Sequence, residues 1–452
     1  MIFNILYNAG MALASAILPV GKLLGKKARL LIEGQEKFNP DELAAWRKSK
    51  EKVIWFHCAS LGEFEQGRPV LEAFREKHPE YGVLLTFFSP SGYEVRKNYP
   101  LADFICYLPL DTASGARRFV EAARPDIVVF VKYEFWPNII REIKRSGARL
   151  IGISVILRPG QSFFKPWGGF FRDVLHHFDY LFVQNQSSAE LLDSIGFSRY
   201  EVAGDTRFDR VMATAGDTKE VAGIRGFIEA RFSTTLELTD GDSPALRQAQ
   251  GDSGEVKGNN GSAQGDSGDS PGTRNSSPGT KVLVAGSVWP EDMEVLKPFI
   301  AAHPEMKFII APHDIKPDQI SRWVKETGGL RYSEMEKYST ENVLFIDSIG
   351  LLARLYKYAD YALVGGGFKT GLHNILEPAV FGVPIFFGDQ KYKKFQEALD
   401  LLELGVAFTV HSSLQEVFEG LDVAEIQRKA EVYVNQNAGA TRKILGFLNL
   451  NS

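Results

Sequence analysis

Ser60-Leu61-Gly62-Glu63 follows an apolar, aromatic-rich run, VIWFHCAS at 53–60, and opens a helix-like stretch, EFEQGRPVLEAFREKH. This reads as strand, tight loop and helix, and sets Glu63 at a sheet's carboxyl edge beside backbone N–H groups. Two readings stand. S-x-x-E is the signature of a capping box, with Glu63 bonded back to the Ser60 amide. A helix N-terminus also keeps a carboxylate ionised at neutral pH, and an inverting sugar transfer needs such a general base to take the acceptor hydroxyl's proton. Gly62 would let an acceptor approach closely. Ser91-Gly92-Tyr93-Glu94 repeats the pattern after the next apolar run and reads as a cap.

Lys132-Tyr133-Glu134-Phe135-Trp136-Pro137-Asn138 puts a carboxylate among aromatics at a third strand end, a sugar platform unless Phe135 and Trp136 belong to the core. Gly204-Asp205-Thr206-Arg207-Phe208-Asp209 offers a cation for phosphate or a sugar carboxylate, or else a plain surface Arg-Asp pair. In the second half, YALVGG leads into Gly365-Gly366-Gly367 and then Leu372-His373-Asn374-Ile375-Leu376-Glu377-Pro378. Glycines between a strand and a helix expose backbone donors to phosphate. His373 and Asn374 are placed to reach that phosphate, and Glu377 to accept from ribose hydroxyls. The spacing is not GxGxxG, and no GK[ST] P-loop occurs, which disfavours ATP chemistry.

The elements that position these residues alternate. VLLTFF, DIVVFV, RLIGIS and YLFVQN follow the first run, and KVLVAGS, KFIIAP, NVLFID, YALVGG and VPIFFG form a second series, most with a helical pattern behind them. Buried apolar strands alternating with helices predict parallel α/β sheets, two of them in tandem, with ligands at the strands' carboxyl ends. The chain of 452 residues is long enough for two cores. Its net charge of −4 argues against a nucleic-acid partner. Cys58 and Cys106 have neither metal-ligand spacing nor disulfide density, which favours a reducing compartment.

Residues 1–21 hold no charged side chain, and Lys22, Lys26, Lys27 and Arg29 follow. A short spanning helix, an interfacial anchor and a cleaved signal peptide all fit this pattern. The first two are favoured, because a secretory peptide carries its basic residues ahead of the apolar run. Positive-inside logic then leaves the rest of the chain in the cytoplasm. The expected organisation is a membrane anchor at 1–30, a Rossmann-like domain at 31–233, a low-complexity insertion at 234–280, and a second Rossmann-like domain at 281–452 whose last helix crosses back. The insertion repeats AQGDS and SPGT and has too few apolar residues to offset the entropy of ordering.

Six segments in order, HCASLGEFEQGRPVL, TFFSPSGYE, PDIVVFVKYEFWPN, VAGDTRFD, FIDSIGLLARLYKYADYALVGGGF and GLHNILEPAVFGVPIFFG, resemble the 3-deoxy-D-manno-octulosonate (Kdo) transferase family of lipopolysaccharide assembly. The resemblance implies a GT-B fold, two Rossmann-like domains whose parallel sheets face a central cleft. It implies transfer of Kdo from CMP-Kdo to a lipid A precursor, lipid IVA, with inversion and without a metal or other cofactor, at the cytoplasmic face of the inner membrane. By the same resemblance Glu63 is the catalytic base, Glu134 and Arg207 stabilise the transition state, and CMP lies on Pro312, His313, Ile349, Gly350, Leu351, Asn374, Ile375, Leu376 and Glu377. Three departures stand out. The family's Glu-Thr-Glu is Lys132-Tyr133-Glu134, its Pro-Arg-His is Pro312-His313-Asp314, and a Lys-Phe-Asp is Arg207-Phe208-Asp209. The alternatives are another GT-B enzyme, such as a lipid-linked GlcNAc transferase or a nucleotide-sugar epimerase, and a non-catalytic membrane-associated binding module.

Overall fold

The short apolar runs of the first half become strands because helices cover both of their faces, so no alternation of polar residues is needed. In the computed structural model, which describes residues 2–230 and 280–449, these strands are β1 (Lys52–Cys58), β2 (Tyr81–Phe87), β3 (Phe104–Tyr107), β4 (Ile127–Val131), β5 (Arg149–Val155), β6 (Tyr180–Val183) and β7 (Tyr200–Val202). All pair in parallel in the order β3-β2-β1-β4-β5-β6-β7. Side chains alternate between two cores. Trp55 and Phe130 pack with Phe119 and Phe178 on one face, while Ile54 and Phe56 pack with Phe64, Phe74 and Phe182 on the other.

The second sheet comprises β8 (Val282–Val288), β9 (Lys307–Pro312), β10 (Leu330–Arg331), β11 (Val343–Phe345), β12 (Tyr361–Val364), β13 (Ile385–Gly388) and β14 (Ala407–Val410). It is also parallel, in the order β10-β11-β9-β8-β12-β13-β14. In each sheet the order reverses beside the first strand, between β1 and β4 and between β8 and β12. Such a switch point opens a crevice at the carboxyl ends, where ligands of doubly wound sheets bind.

The chain divides into one unit running to Thr214 together with the residues from Val432, and a second from Ala215 to Glu431. The first expected domain therefore ends earlier than residue 233. Ile224, Phe227 and Ile228 bury their side chains, the Phe227 ring lies 5.5 Å from Tyr338, and the Val221 amide donates to the Tyr358 hydroxyl at 3.1 Å. These contacts hold the segment on the second unit. At the other end the last helix crosses back, with Ala440, Ile444, Leu445 and Leu448 buried in the first unit's core. Apart from Thr280, the insertion at 234–280 lies outside the described residues.

Near the N-terminus Ile2–Ile17 forms an α-helix, followed by a 3₁₀ segment Leu18–Leu24. By length and composition Phe3–Lys22 is apolar enough to cross a membrane, and none of it is buried in the protein. That is weak evidence of membrane association.

Candidate active site

Glu63 sits in the first turn of the helix Leu61–Lys77, whose N-cap is Ser60. The capping box does not form, because the Ser60 side chain makes no capping bond and its hydroxyl donates to the Glu63 carboxylate instead. Gly67, one turn further on, lets this helix approach the sheet. A Cβ there would meet Val131 Cγ2 at 2.9 Å and Cys58 Sγ at 3.2 Å. The approach brings Glu63, 9% exposed, over the carboxyl ends of β1 and β4, where Lys132 Nζ stands 3.8 Å from Glu63 Oε1. Lys132 is the first residue past β4 and holds a left-handed φ of 73°.

Glu134 follows two residues later and accepts a hydrogen bond from Trp136 Nε1 at 2.9 Å. His57 Nε2, fully buried and without a hydrogen-bond partner, stands 3.9 Å from Glu134 Oε2. The other ring nitrogen of His57 lies 2.9 Å from Thr86 Oγ1, which also accepts from Trp55 Nε1 at 2.8 Å. Glu63 and Glu134 thus straddle the switch point of the first sheet. Their shared field is felt by Cys58, whose thiol is pushed well up by burial first and then by the charges of Glu63 and Glu134.

Arg207 lies in the first turn of the helix Thr206–Ala215. It pairs with Asp205 at 2.7 Å, and Asp205 also accepts from Gln66 Nε2 at 3.1 Å through both oxygens. This is not a plain surface pair, because Asp205 is buried. Burial pushes its carboxyl up, but the Arg207 charge and hydrogen bonds, with Gln66, outweigh that and hold it below its ordinary value. Gln66 is three residues past Glu63, so Arg207 reaches the same helix by way of Asp205.

In the second unit two amides of the glycine run are already taken within the protein. The Gly365 amide donates to the Gly286 carbonyl at 2.9 Å and the Gly366 amide to Asp292 Oδ2 at 3.0 Å, while a Cβ on Gly365 would meet the Ser287 carbonyl at 2.2 Å. Asp292 also takes the Trp289 amide at 2.8 Å. Burial pushes its carboxyl up to about 6, against those two bonds.

Trp289, just past β8, stacks on His313 with ring centroids 4.2 Å apart and donates from Nε1 to His373 Nε2 at 3.2 Å. The two histidine rings lie 4.6 Å apart. Burial, with the His313 charge second, lowers His373 to about 4, so at neutral pH it is an acceptor rather than a cation for phosphate. Asn374 Nδ2 donates to Glu377 Oε1 at 3.1 Å. Ile375 and Leu376 are buried, and the Leu376 amide donates to Asn374 Oδ1 at 3.3 Å. Ile349, by contrast, is 91% exposed on the loop after β11, next to Gly350 at a φ of 87°. The structure thus groups Pro312 and His313 with His373, and Asn374 with Glu377, at the carboxyl ends of β9 and β12.

Sequence reasoning assigned no role to Trp289, His57 or Lys132. The signal for each was position, since all three lie at or just past the carboxyl end of a strand that flanks a switch point.

Two doubly wound sheets with polar groups at both switch points define a protein of the GT-B type. Solved structures share this fold. They include UDP-GlcNAc 2-epimerase from Neisseria meningitidis bound to UDP-GlcNAc (TM-score 0.53, 15% identity, covering 88% of this chain and 100% of that one) and MurG from Acinetobacter baumannii (TM-score 0.50, 12% identity, 88% and 99%). Residues 35–210 match the family described as 3-deoxy-D-manno-octulosonic-acid transferase (kdotransferase). The chain is a homologue of these glycosyltransferases over most of its length. It is 28% identical over 375 residues to the 3-deoxy-D-manno-octulosonic acid transferase of Chlamydophila psittaci, covering 78% of this chain and 73% of that one. With the transferase of Aquifex aeolicus it shares 24% identity over 392 residues, 85% and 90%.

Proposed function

We propose that the protein transfers Kdo from CMP-Kdo to a lipid A precursor, lipid IVA, with inversion, at the cytoplasmic face of the inner membrane. The observation that carries this reading is the pair Glu63 and Glu134 flanking the first sheet's switch point in a homologue of Kdo transferases. In the proposed reaction Glu63 takes the proton of a glucosamine hydroxyl, whose oxygen attacks the anomeric carbon of Kdo from the face opposite CMP. The bond to CMP breaks, and the phosphate leaves with the electron pair. Glu134, oriented by Trp136, faces the positive charge that develops on the sugar ring, and Arg207 the anionic groups of the donor.

CMP is assigned to Pro312, His313, the loop Ile349-Gly350-Leu351, and Asn374, Ile375, Leu376 and Glu377. With His313 where the family has arginine, the stack of Trp289 on His313 supplies an aromatic surface in place of a guanidinium. The reaction so written uses neither a metal nor another cofactor.

Incubation with lipid IVA and a CMP-Kdo-generating system, followed by mass analysis, tests the proposal. A mass increase of one or more Kdo units is expected. Transfer from UDP-GlcNAc but not from CMP-Kdo would overturn it in favour of another GT-B reaction.

A further inference from the structure

Asn4, Tyr7 and Asn8 have the i, i+3, i+4 spacing that puts them on one face of the helix Ile2–Ile17. Each meets a partner from the first unit. The Tyr7 hydroxyl donates to Asp111 Oδ2 at 2.7 Å, Asn138 Nδ2 donates to Asn8 Oδ1 at 2.9 Å, and Arg141 donates to Asn4 Oδ1 at 2.7 Å. Asp111, fully buried, also accepts the backbone amides of Asn138 and Ile139 at 3.0 and 2.8 Å. The opposite face of the helix carries Leu6, Leu13 and Ile17, all exposed, and Phe3 is exposed at the margin of the polar face. This polarity is the reverse of a helix on a water-soluble surface, because here the polar stripe faces protein and the apolar stripe faces outward.

Two neighbours indicate what covers the apolar stripe. Lys26, Lys27 and Arg29 follow it and are exposed, which matches an anionic lipid surface. Trp167, 53% exposed, is linked to Tyr7 through ring contacts with Phe171 and Phe170. Tryptophan favours the headgroup level of a bilayer. With its 3₁₀ continuation the stretch Phe3–Lys22 is long enough to cross, so what disfavours crossing is the polar latch rather than length. Standing the helix upright in lipid would break its three polar contacts or draw Asp111 and Arg141 into hydrocarbon.

We propose that the helix Ile2–Ile17 lies in the plane of an anionic lipid surface, its Asn4-Tyr7-Asn8 face latched to Asp111, Asn138 and Arg141 and its Leu6-Leu13-Ile17 face in the acyl boundary. Asn138 is four residues past Glu134, so the latch holds the sheet edge that carries Glu134 at a fixed attitude to the lipid. The sugar of a membrane-held acceptor then reaches the carboxylates while its acyl chains stay in the bilayer.

Nitroxide labels on Leu6→Cys and Leu13→Cys variants of the full chain, bound to phosphatidylcholine vesicles with one-fifth phosphatidylglycerol, test the orientation. The native Cys58 and Cys106 are buried. Equal depths at the two positions are expected, each about 5–10 Å below the phosphates. Depths differing by about 10 Å, the rise over seven residues, would show a crossing helix and overturn the proposal. Leu13→Glu with Ile17→Glu is expected to weaken vesicle partition about tenfold or more. A dimer in solution that ignores anionic vesicles would assign the face to a second copy and also overturn it. Tyr7→Phe with Asn8→Ala is expected to keep partition within about twofold, since the lipid face is intact, while the label at position 13 becomes more mobile. Unchanged mobility would refute the latch.

Discussion

Lys132 Nζ stands 3.8 Å from the Glu63 carboxylate, and the residue that carries it holds a backbone conformation that L-residues avoid, at a φ of 73°. A left-handed lysine costs about 1 kcal/mol or more. The surrounding structure over-determines that conformation, with the Lys132 amide bonded to the Ile153 carbonyl at 2.8 Å. Strain of this kind concentrates at functional sites. Lys132→Gly relieves the strain and removes the ammonium, so stability to urea is expected to be unchanged or higher while transfer falls by roughly ten- to a hundredfold through a misplaced Glu63. Parallel loss of stability and activity would instead mark Lys132 as a structural residue.

Glu63→Gln keeps the shape of the base and removes its charge. Transfer is expected to fall by about a thousandfold, within the usual range for a general base. CMP affinity measured by calorimetry should not change, because the residues assigned to CMP are on the other unit. A variant that retains a tenth of the wild-type rate would remove Glu63 from the role of base.

Gly67→Ala distinguishes packing from helix propensity. Alanine in a helix interior is normally worth about 1 kcal/mol over glycine. Here its Cβ would meet Val131 Cγ2 at 2.9 Å, so a net loss of about 1–3 kcal/mol is expected. Guanidinium unfolding gives the sign directly, and a gain would mean that the helix can move away from the sheet without cost.

His373 makes a pH-dependent contribution whose sign follows from its lowered value of about 4. A histidine depressed below its unfolded value of about 6.5 contributes stability that is fully present above 6.5 and is lost as pH falls toward 4. Asp111 and Asp292, each raised to about 6 mainly by burial, act in the opposite sense. Their penalty is absent below their unfolded values and grows as pH rises through 6. The His373 part is isolated by comparison with His373→Gln, which keeps an acceptor for Trp289. The stability difference between wild type and variant should shrink from pH 7 to pH 4, whereas a difference independent of pH would show that His373 does not titrate in this window.

The sheets were legible because their strands are uniformly apolar and bounded by turn residues. Five strands of each sheet follow from that pattern, while β3, β7, β10 and β14, the edge strands, have only two to four residues and do not stand out from it. Glu63 and Glu134 were legible as polar residues after apolar runs, Arg207 as a cation in a short polar loop, and the structure places the first two across one switch point. Their partners were not legible. His57 lies inside a buried strand, and its relation to Glu134 arises from the pairing of β1 with β4, residues far apart in sequence. The glycine run is ambiguous for a related reason. Glycine before a helix suits both a phosphate and a close backbone, and only the Asp292 side chain, from 74 positions away, decides that the Gly366 amide is already taken.

Asp209 accepts the backbone amides of Gly439 and Thr441 at 2.5 and 2.7 Å, and the helix Ala440–Asn449 then fills the core beneath Phe182. During synthesis the ribosome delivers these residues only after the whole second unit, so the first unit waits for more than two hundred residues before its core is complete. Its apolar gap is a standing target for chaperones and proteases throughout that interval, and the second unit is an insertion that must fold inside an unfinished host.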